Sequence, residues 1–452
     1  MRIIHWPRPR HVARAARVLA LGIVLPVVTV CWPASAQTDS SPPVARLGDL
    51  YAQAQRHNPK VAAAHALARA AAARVPGATR PPDPVLQLGF MNYNLPSLAP
   101  MPTLGMRQLQ LMQMLPLGGK LTLAGQVAGA AASASTHRAT DLVWEVRAAL
   151  AMDFYDLYAT DRGLGVARET LRLLQDIERT AESMYRVGEG RQADVLRAQV
   201  EIARMVEDTI RMRAMRETMV ARINALVDRD ATVEMDTPAL PEFPMTVPSR
   251  AWLDSIAVGE RPMIAAGLDD VRSAASSEQL AHKEIWPDLQ VGVQYAQQGG
   301  DMGLQHMGSL MLGASLPVFA RDRQLKMRDE AGAMKQMAQA DLAAMRAETR
   351  GKVGEAYAKL MRARNLAQLY RTTVLPQAEA TVASALAAYR VGRVDFMTLL
   401  DDRMTVKKYQ QELHVLDGEQ GKAWADLEML TGRELFDPNR ASRTNPASRD
   451  GR

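Results

Sequence analysis

The sequence predicts a mainly helical, internally duplicated protein in which each copy joins a pair of short amphipathic strands to very long helices. Three observations predict it. Segments recur in order at an offset near 200 residues, ten-residue stretches alternate apolar with polar residues, and the run from Leu117 to Thr237 lacks proline while carrying leucines seven apart.

The chain has 452 residues, 47% hydrophobic and 23% charged, which supplies a core and excludes wholesale disorder. Its net charge of +6 invites a nucleic-acid reading until the excess is located. Residues 1–36 hold Arg2, Arg8, Arg10, Arg14 and Arg17 and no acid, so five of the six excess charges belong to that segment. A partner nucleic acid is therefore not expected. The same segment has a basic start, an apolar stretch from Val18 to Val30 and Ala34-Ser35-Ala36 before Gln37, the pattern of a cleaved secretory signal peptide. Cys31 is the only cysteine, so the mature chain would have no disulfide or thiolate chemistry; cleavage before Cys31 with lipidation is the alternative, disfavoured by the bulky Val30.

The duplication rests on four landmarks. Asn58-Pro59 returns as Arg261-Pro262, Leu86-Gln87-Leu88-Gly89 as Leu289-Gln290-Val291-Gly292, Leu115-Pro116-Leu117 as Leu316-Pro317-Val318, and Tyr185-Arg186-Val187-Gly188 identically as Tyr389-Arg390-Val391-Gly392. The expected organisation is a first repeat over 37–236 with a helix, a β-hairpin about 84–116 and a long helical hairpin about 119–228. A proline-rich connector, 237–250, holds Pro238, Pro241, Pro244 and Pro248. The second repeat, 251–436, has its helix, a hairpin about 287–317 and a helical hairpin about 322–432, followed by a disordered polar tail, 437–452.

In the strands, Leu86, Leu88 and Phe90 alternate with Gln87, Gly89 and Met91, and Leu109 and Leu111 with Gln108, Gln110 and Met112. Leu289, Val291, Val293 and Tyr295 alternate with Gln290, Gly292 and Gln294, and Leu310, Leu312 and Ala314 with Met311 and Gly313. Strands of this length and period suit either transmembrane β-strands or hairpins of a soluble sheet. Four cannot close a barrel, so in lipid closure would need several chains. In the long helices, Val143, Leu150, Leu157, Leu164 and Leu171 keep a spacing of seven, as a coiled-coil seam requires. From Leu121 to Met184 one helix would run ~96 Å.

With the duplication, the strand-ending Leu-Pro pairs and the two Tyr-Arg-Val-Gly segments, the chain resembles the TolC-like outer-membrane efflux family over about Leu47 to Leu435. That resemblance implies a homotrimer with a twelve-stranded transmembrane barrel and a long α-helical coiled-coil barrel in the periplasm of a Gram-negative bacterium. It also implies a passive duct, with no cofactor or enzymatic activity, that joins a periplasmic adaptor (membrane fusion protein) and an inner-membrane RND-type transporter. Tyr185, Arg186, Val187, Gly188, Tyr389, Arg390, Val391 and Gly392 would form exposed helix-to-helix turns where the adaptor docks. Asp401 matches an aspartate that narrows the tunnel in the family, with Asp402 and Asp194 beside it; a second family aspartate falls on Thr398. The alternative for these acids is a solvated helix face near Arg403 and Lys407.

Met106, Met112 and Met114 share one strand face with Gln108 and Gln110 and could line the lumen as soft ligands, or simply fill space. Residues 112–120, Met-Gln-Met-Leu-Pro-Leu-Gly-Gly-Lys, resemble the heavy-metal branch of the family, with Gly118 standing where that branch often has proline. Export of cations such as Cu(I) or Ag(I) is thus expected, the alternatives being a drug, small-molecule or type I secretion duct. No His, Cys or carboxylate spacing for a resident metal site, no phosphate loop and no nucleophile elbow is present. From another class altogether, a secreted coiled-coil scaffold also satisfies the helical pattern.

Overall fold

The computed structural model describes residues 44–94, 99–100, 105–300 and 303–439. The expected signal segment 1–36 with Cys31, Met101, Met302 and the tail from 440 onward lie outside the described residues.

The chain enters through α1 (Leu47–His57) and α2 (Pro59–Ala78), which meet at Asn58. The Asn58 carboxamide oxygen accepts the Lys60 and Val61 N–H groups at 2.9 and 3.3 Å, capping α2, and its amide donates to the Leu226 carbonyl at 2.8 Å. Pro59 sits at the first helical position, where its missing N–H costs nothing. Strands β1 (Val85–Met91) and β2 (Met106–Leu115) follow, then α3 (Lys120–Arg186), 67 residues and about 100 Å long, and α4 (Gln192–Leu226). The second half repeats this order with α5 (Arg250–Glu260), α6 (Pro262–Lys283), β3 (Leu289–Gly300), β4 (Gly303–Ala314), α7 (Gln324–Leu369), α8 (Leu375–Arg390) and α9 (Phe396–Thr431). In the proline-rich stretch between the halves, Thr237–Pro238 pairs in parallel with Val44–Ala45.

α7 and α8 are one rod interrupted by a π-helical turn, Tyr370–Val374. Pro376 explains it: proline cannot give an N–H to the carbonyl four residues back, and the wider turn relieves the clash. Arg371 in this turn pairs with Asp417 of α9, and the Tyr370 and Tyr409 rings meet edge to face at 5.7 Å.

The four long strands form one antiparallel sheet in the order β1-β2-β3-β4. Lys120, buried at the start of α3, donates to the Trp286 carbonyl at 2.9 Å and to Asp288 at 2.8 Å, which ties the end of the first hairpin to the beginning of the second. Before it, Gly118 and Gly119 have φ of 73° and 79°; proline is locked near −65°, so Gly118 cannot be the proline of the heavy-metal branch while this turn persists.

Packing is helix on helix in three clusters. α1 places Leu47, Leu50 and Tyr51 against Leu150, Phe154 and Tyr155 of α3 and Val220 and Ile223 of α4. The second half repeats the arrangement with Leu253 of α5, Val353 and Leu360 of α7, and Trp424 and Leu427 of α9. A third cluster, at the far end of the hairpins, joins α3, α4, α8 and α9. Leu150, Leu157 and Leu164 of the seven-residue series are buried, Val143 and Leu171 half-buried, and each fully buried leucine contributes ~1.5–3 kcal/mol.

Candidate channel wall, tips and constriction

The register of the sheet sorts its side chains by chemistry. One face carries Leu86, Leu88, Phe90, Leu109, Leu111, Val293, Tyr295, Leu304, Leu310 and Leu312, all exposed. The opposite face carries Gln87, Met106, Gln108, Gln110, Met112, Gln294, Ser309 and Met311. There Gln294 donates to Gln108 at 2.8 Å, and Gln108 lies over Gly89, where a Cβ would come within 2.5 Å of it. A sheet that leaves leucine rows uncovered while pairing its amides on the other side is built for two different solvents, hydrocarbon and water. Among the described residues no helix is long and apolar enough to cross a membrane. The apolar surface is the sheet's.

Met106, Met112 and Met114 alternate onto the amide-bearing face, where Gln110 donates to the Met112 thioether at 2.7 Å; Met114, at the strand end, is the more exposed. Met311 joins them through the β3–β4 register, Gly292 opposing both Met112 and Met311. Strand parity alone puts Met311 on this face; its position beside Met112 depends on cross-strand register, which the sequence does not display. Among the described residues no group of three or more His, Cys, Asp or Glu could hold a metal ion.

At the far end the two Tyr-Arg-Val-Gly segments make the same turn. Gly188 and Gly392 have φ of 82° and 69°; their N–H groups donate to Tyr185 and Tyr389 carbonyls at 3.1 and 3.0 Å, and Glu189 and Arg393 bond back to Met184 and Ala388 at 2.9 Å each. Val187 and Val391 stand out at both turns. The tyrosines differ. Tyr185 is 46% exposed, whereas Tyr389, expected at an exposed end, is 6% exposed. Its ring packs on Phe396 at 5.9 Å among Leu399, Leu400 and Ala385. Gln192 takes the place of Phe396 in the first half, so Tyr185 has no such partner. Burial, with the Asp194 carboxylate nearby, pushes the Tyr389 hydroxyl pKa up.

Asp194, Arg191, Arg197, Arg393 and Asp395 line a groove beside Tyr389. Asp395 caps α9 by accepting the Thr398 N–H at 3.1 Å and its hydroxyl at 2.5 Å, which gives Thr398 a task at the position where the family places an aspartate. Asp401 points to solvent, whereas Asp402 faces Gln377 and Thr381 of α8 in a separate groove, so one protomer does not gather the three carboxylates in one pocket. Among the described residues none of the three makes an ion pair within the chain, and Lys407 turns away to Asp208 of α4 at 2.5 Å.

A sheet with one apolar and one amide-bearing face, carried on helices of which α3 is about 100 Å long, is the architecture that the comparisons with known proteins also find. Residues 253–433 match the family model described as "Outer membrane efflux protein". Solved structures that share the fold include CusC (16% identity, TM-score 0.73, covering 86% of this chain and 92% of that one), VceC from Vibrio cholerae (17%, 0.73, 86% and 97%), and the open state of the MtrE channel from Neisseria gonorrhoeae (16%, 0.73, 88% and 91%). No curated protein sequence matches this one. The chain thus has the fold of these outer-membrane channels, and its second half matches the model of the outer-membrane efflux protein family.

Proposed function

We propose that three copies of this chain form the exit duct of a tripartite efflux system, docked by its tips on a periplasmic adaptor, fed by an inner-membrane RND-type transporter, and used to export soft heavy-metal cations such as Cu(I) and Ag(I). One observation carries the assembly. The outer edges of β1 and β4 have no partner within the sheet, and lipid offers none to backbone N–H and C=O groups, so each edge must pair with a neighbouring copy. Three such sheets give twelve strands. The cargo reading is supported by the thioethers of Met106, Met112 and Met311 on the amide-bearing face, which becomes the lumen when the leucine rows face lipid.

The tips are the docking surface in this reading, with Tyr185, Arg186 and Val187 exposed beside the Gly188 turn and Arg390 and Val391 beside Gly392. In this reading the exposed Asp401 faces its symmetry mates, and the cluster of carboxylates attracts cations and sets a constriction. Adaptor binding shifts the helices between sealed and open packings.

Reconstituting the purified protein into planar lipid bilayers tests the duct. Discrete cation-preferring conductance from a detergent-solubilised trimer is expected; a water-soluble monomer without conductance would refute it. Gly392→Pro probes the tips: proline cannot adopt φ 69° and lacks the N–H that bonds Tyr389, a local cost of ~3 kcal/mol or more. Adaptor-dependent efflux should fall well below wild type while trimer yield stays close to it, and equal loss of both would remove the docking assignment.

A further inference from the structure

The methionines of this face are not equivalent: Met91 and Met106 oppose each other directly on β1 and β2, whereas Met112 and Met311 converge from two strands over a glycine between them. Met112 and Met311 flank Gly292 on the two neighbouring strands. A Cβ at Gly292 would lie 3.2 Å from Met112 Cγ and 3.4 Å from Met311 Cε, so both side chains lean over the space that the glycine leaves. The Gln110 amide donates to Met112 Sδ at 2.7 Å and stands 4.0 Å from Met311 Sδ, so the two sulfurs flank a single amide. The row beside them is neutral, running from Gln87 through Gln110 and Gln294 to Ser309.

We propose that Met112 and Met311, closing over Gly292, form a two-thioether site for a monovalent soft cation, Ag(I) or Cu(I), on the inner wall of the barrel. The proposal rests on the duct reading above and adds where the cargo pauses. Thioethers suit monovalent d¹⁰ ions, which accept two or three soft ligands, while Zn²⁺, Mg²⁺ and Ca²⁺ want imidazole, thiolate or carboxylate, and this row offers none. The ion displaces the Gln110 amide from the Met112 sulfur, and the amide then turns its oxygen or its water toward the metal. With no carboxylate present the site holds its ion weakly, as a conduit requires: an ion must enter and also leave.

The test uses the detergent-solubilised trimer carrying ¹³C-methyl methionine, titrated with silver nitrate alone. The Met112 and Met311 methyl resonances, assigned from single substitutions, should shift together with one dissociation constant, and zinc nitrate should leave them unmoved. In Met112→Leu the Met311 response should weaken by about tenfold or more, and Gly292→Ala should weaken both by about tenfold as the new methyl occupies the space between the sulfurs. Should Met112→Leu fail to assemble, Met311→Ile asks the same question from the other strand through the Met112 resonance. No silver shift in the wild type, or a Met311 response unchanged by Met112→Leu, overturns the site. Conductance of the same wild-type preparation reports on the duct separately: current without a silver shift removes the site alone, and absence of current removes the duct.

Discussion

Gly421→Val is expected to destabilise the protein by about 3 kcal/mol or more and to abolish recovery of a folded, heat-resistant assembly. α9 packs closely on α3 at Gly418 and Gly421. A Cβ at 421 would lie 2.4 Å from two ring carbons of Tyr155, and one at 418 would lie 3.0 Å from the Tyr155 carbonyl oxygen. The ring cannot retreat, because Tyr155 is fully buried, edge to face with Phe154 at 5.6 Å and against Phe243 at 6.2 Å. Either the helices separate or the first core cluster is broken open. Gly351→Ala in α7 is the control. Nothing lies within 4 Å of a Cβ there, and alanine in a helix interior gains ~0.5–1 kcal/mol over glycine. Thermal denaturation by circular dichroism compares the two, and a Gly421→Val protein that melts with the wild type would refute the close-packed crossing.

Glu428→Gln is expected to stabilise the protein by ~3 kcal/mol above neutral pH and by almost nothing near pH 4. Glu428 is buried near the end of α9, where its carboxylate accepts the Leu435 N–H at 2.8 Å. Burial pushes its pKa from the usual 4.5 up to about 7, a shift that the Leu435 bond and Arg147 only partly offset. The folded chain therefore keeps a proton up to about pH 7 that the unfolded chain releases near 4.5. Its contribution to stability is most favourable below 4.5, declines as pH rises between these values, and is lowest above 7. Glutamine keeps the acceptor for Leu435 and removes the titration. His414 works in the opposite sense: burial and the nearby Arg162 and Arg371 hold it down to about 4, so its stabilising contribution is complete above 6.5 and is lost as pH falls toward 4. Comparing wild type and Glu428→Gln at each pH cancels the histidine. Melting curves that differ by the same amount at pH 4.5 and pH 8 would refute the assignment.

Much of this fold is written in periodicity. Alternation with a period of two survives into the structure because the sheet's faces meet two solvents, so Leu86, Leu88, Gln108 and Gln110 each declare a side. The seven-residue leucines declare the seam of α3 for the same reason. What depends on contacts between distant segments is silent in the chain. Identical turn sequences gave no warning that Tyr389 would fold inward and Tyr185 would not, because the difference is made by Phe396 across the turn. The nearness of Met311 to Met112 needs the register of three strands, and Lys407 answers to Asp208 on another helix rather than to the aspartates beside it. The π-helical turn had one visible cause, Pro376, within a stretch whose composition otherwise reads as uninterrupted helix.

α3 is a continuous rod, whereas the rod of α7 and α8 is interrupted midway by a π-helical turn, and the two hairpins, identical in their end sequences, differ at their tips. One displays a phenol to solvent and the other withholds it. In the proposed trimer the rim alternates three ends of each kind, so a partner docking there meets two unlike footholds.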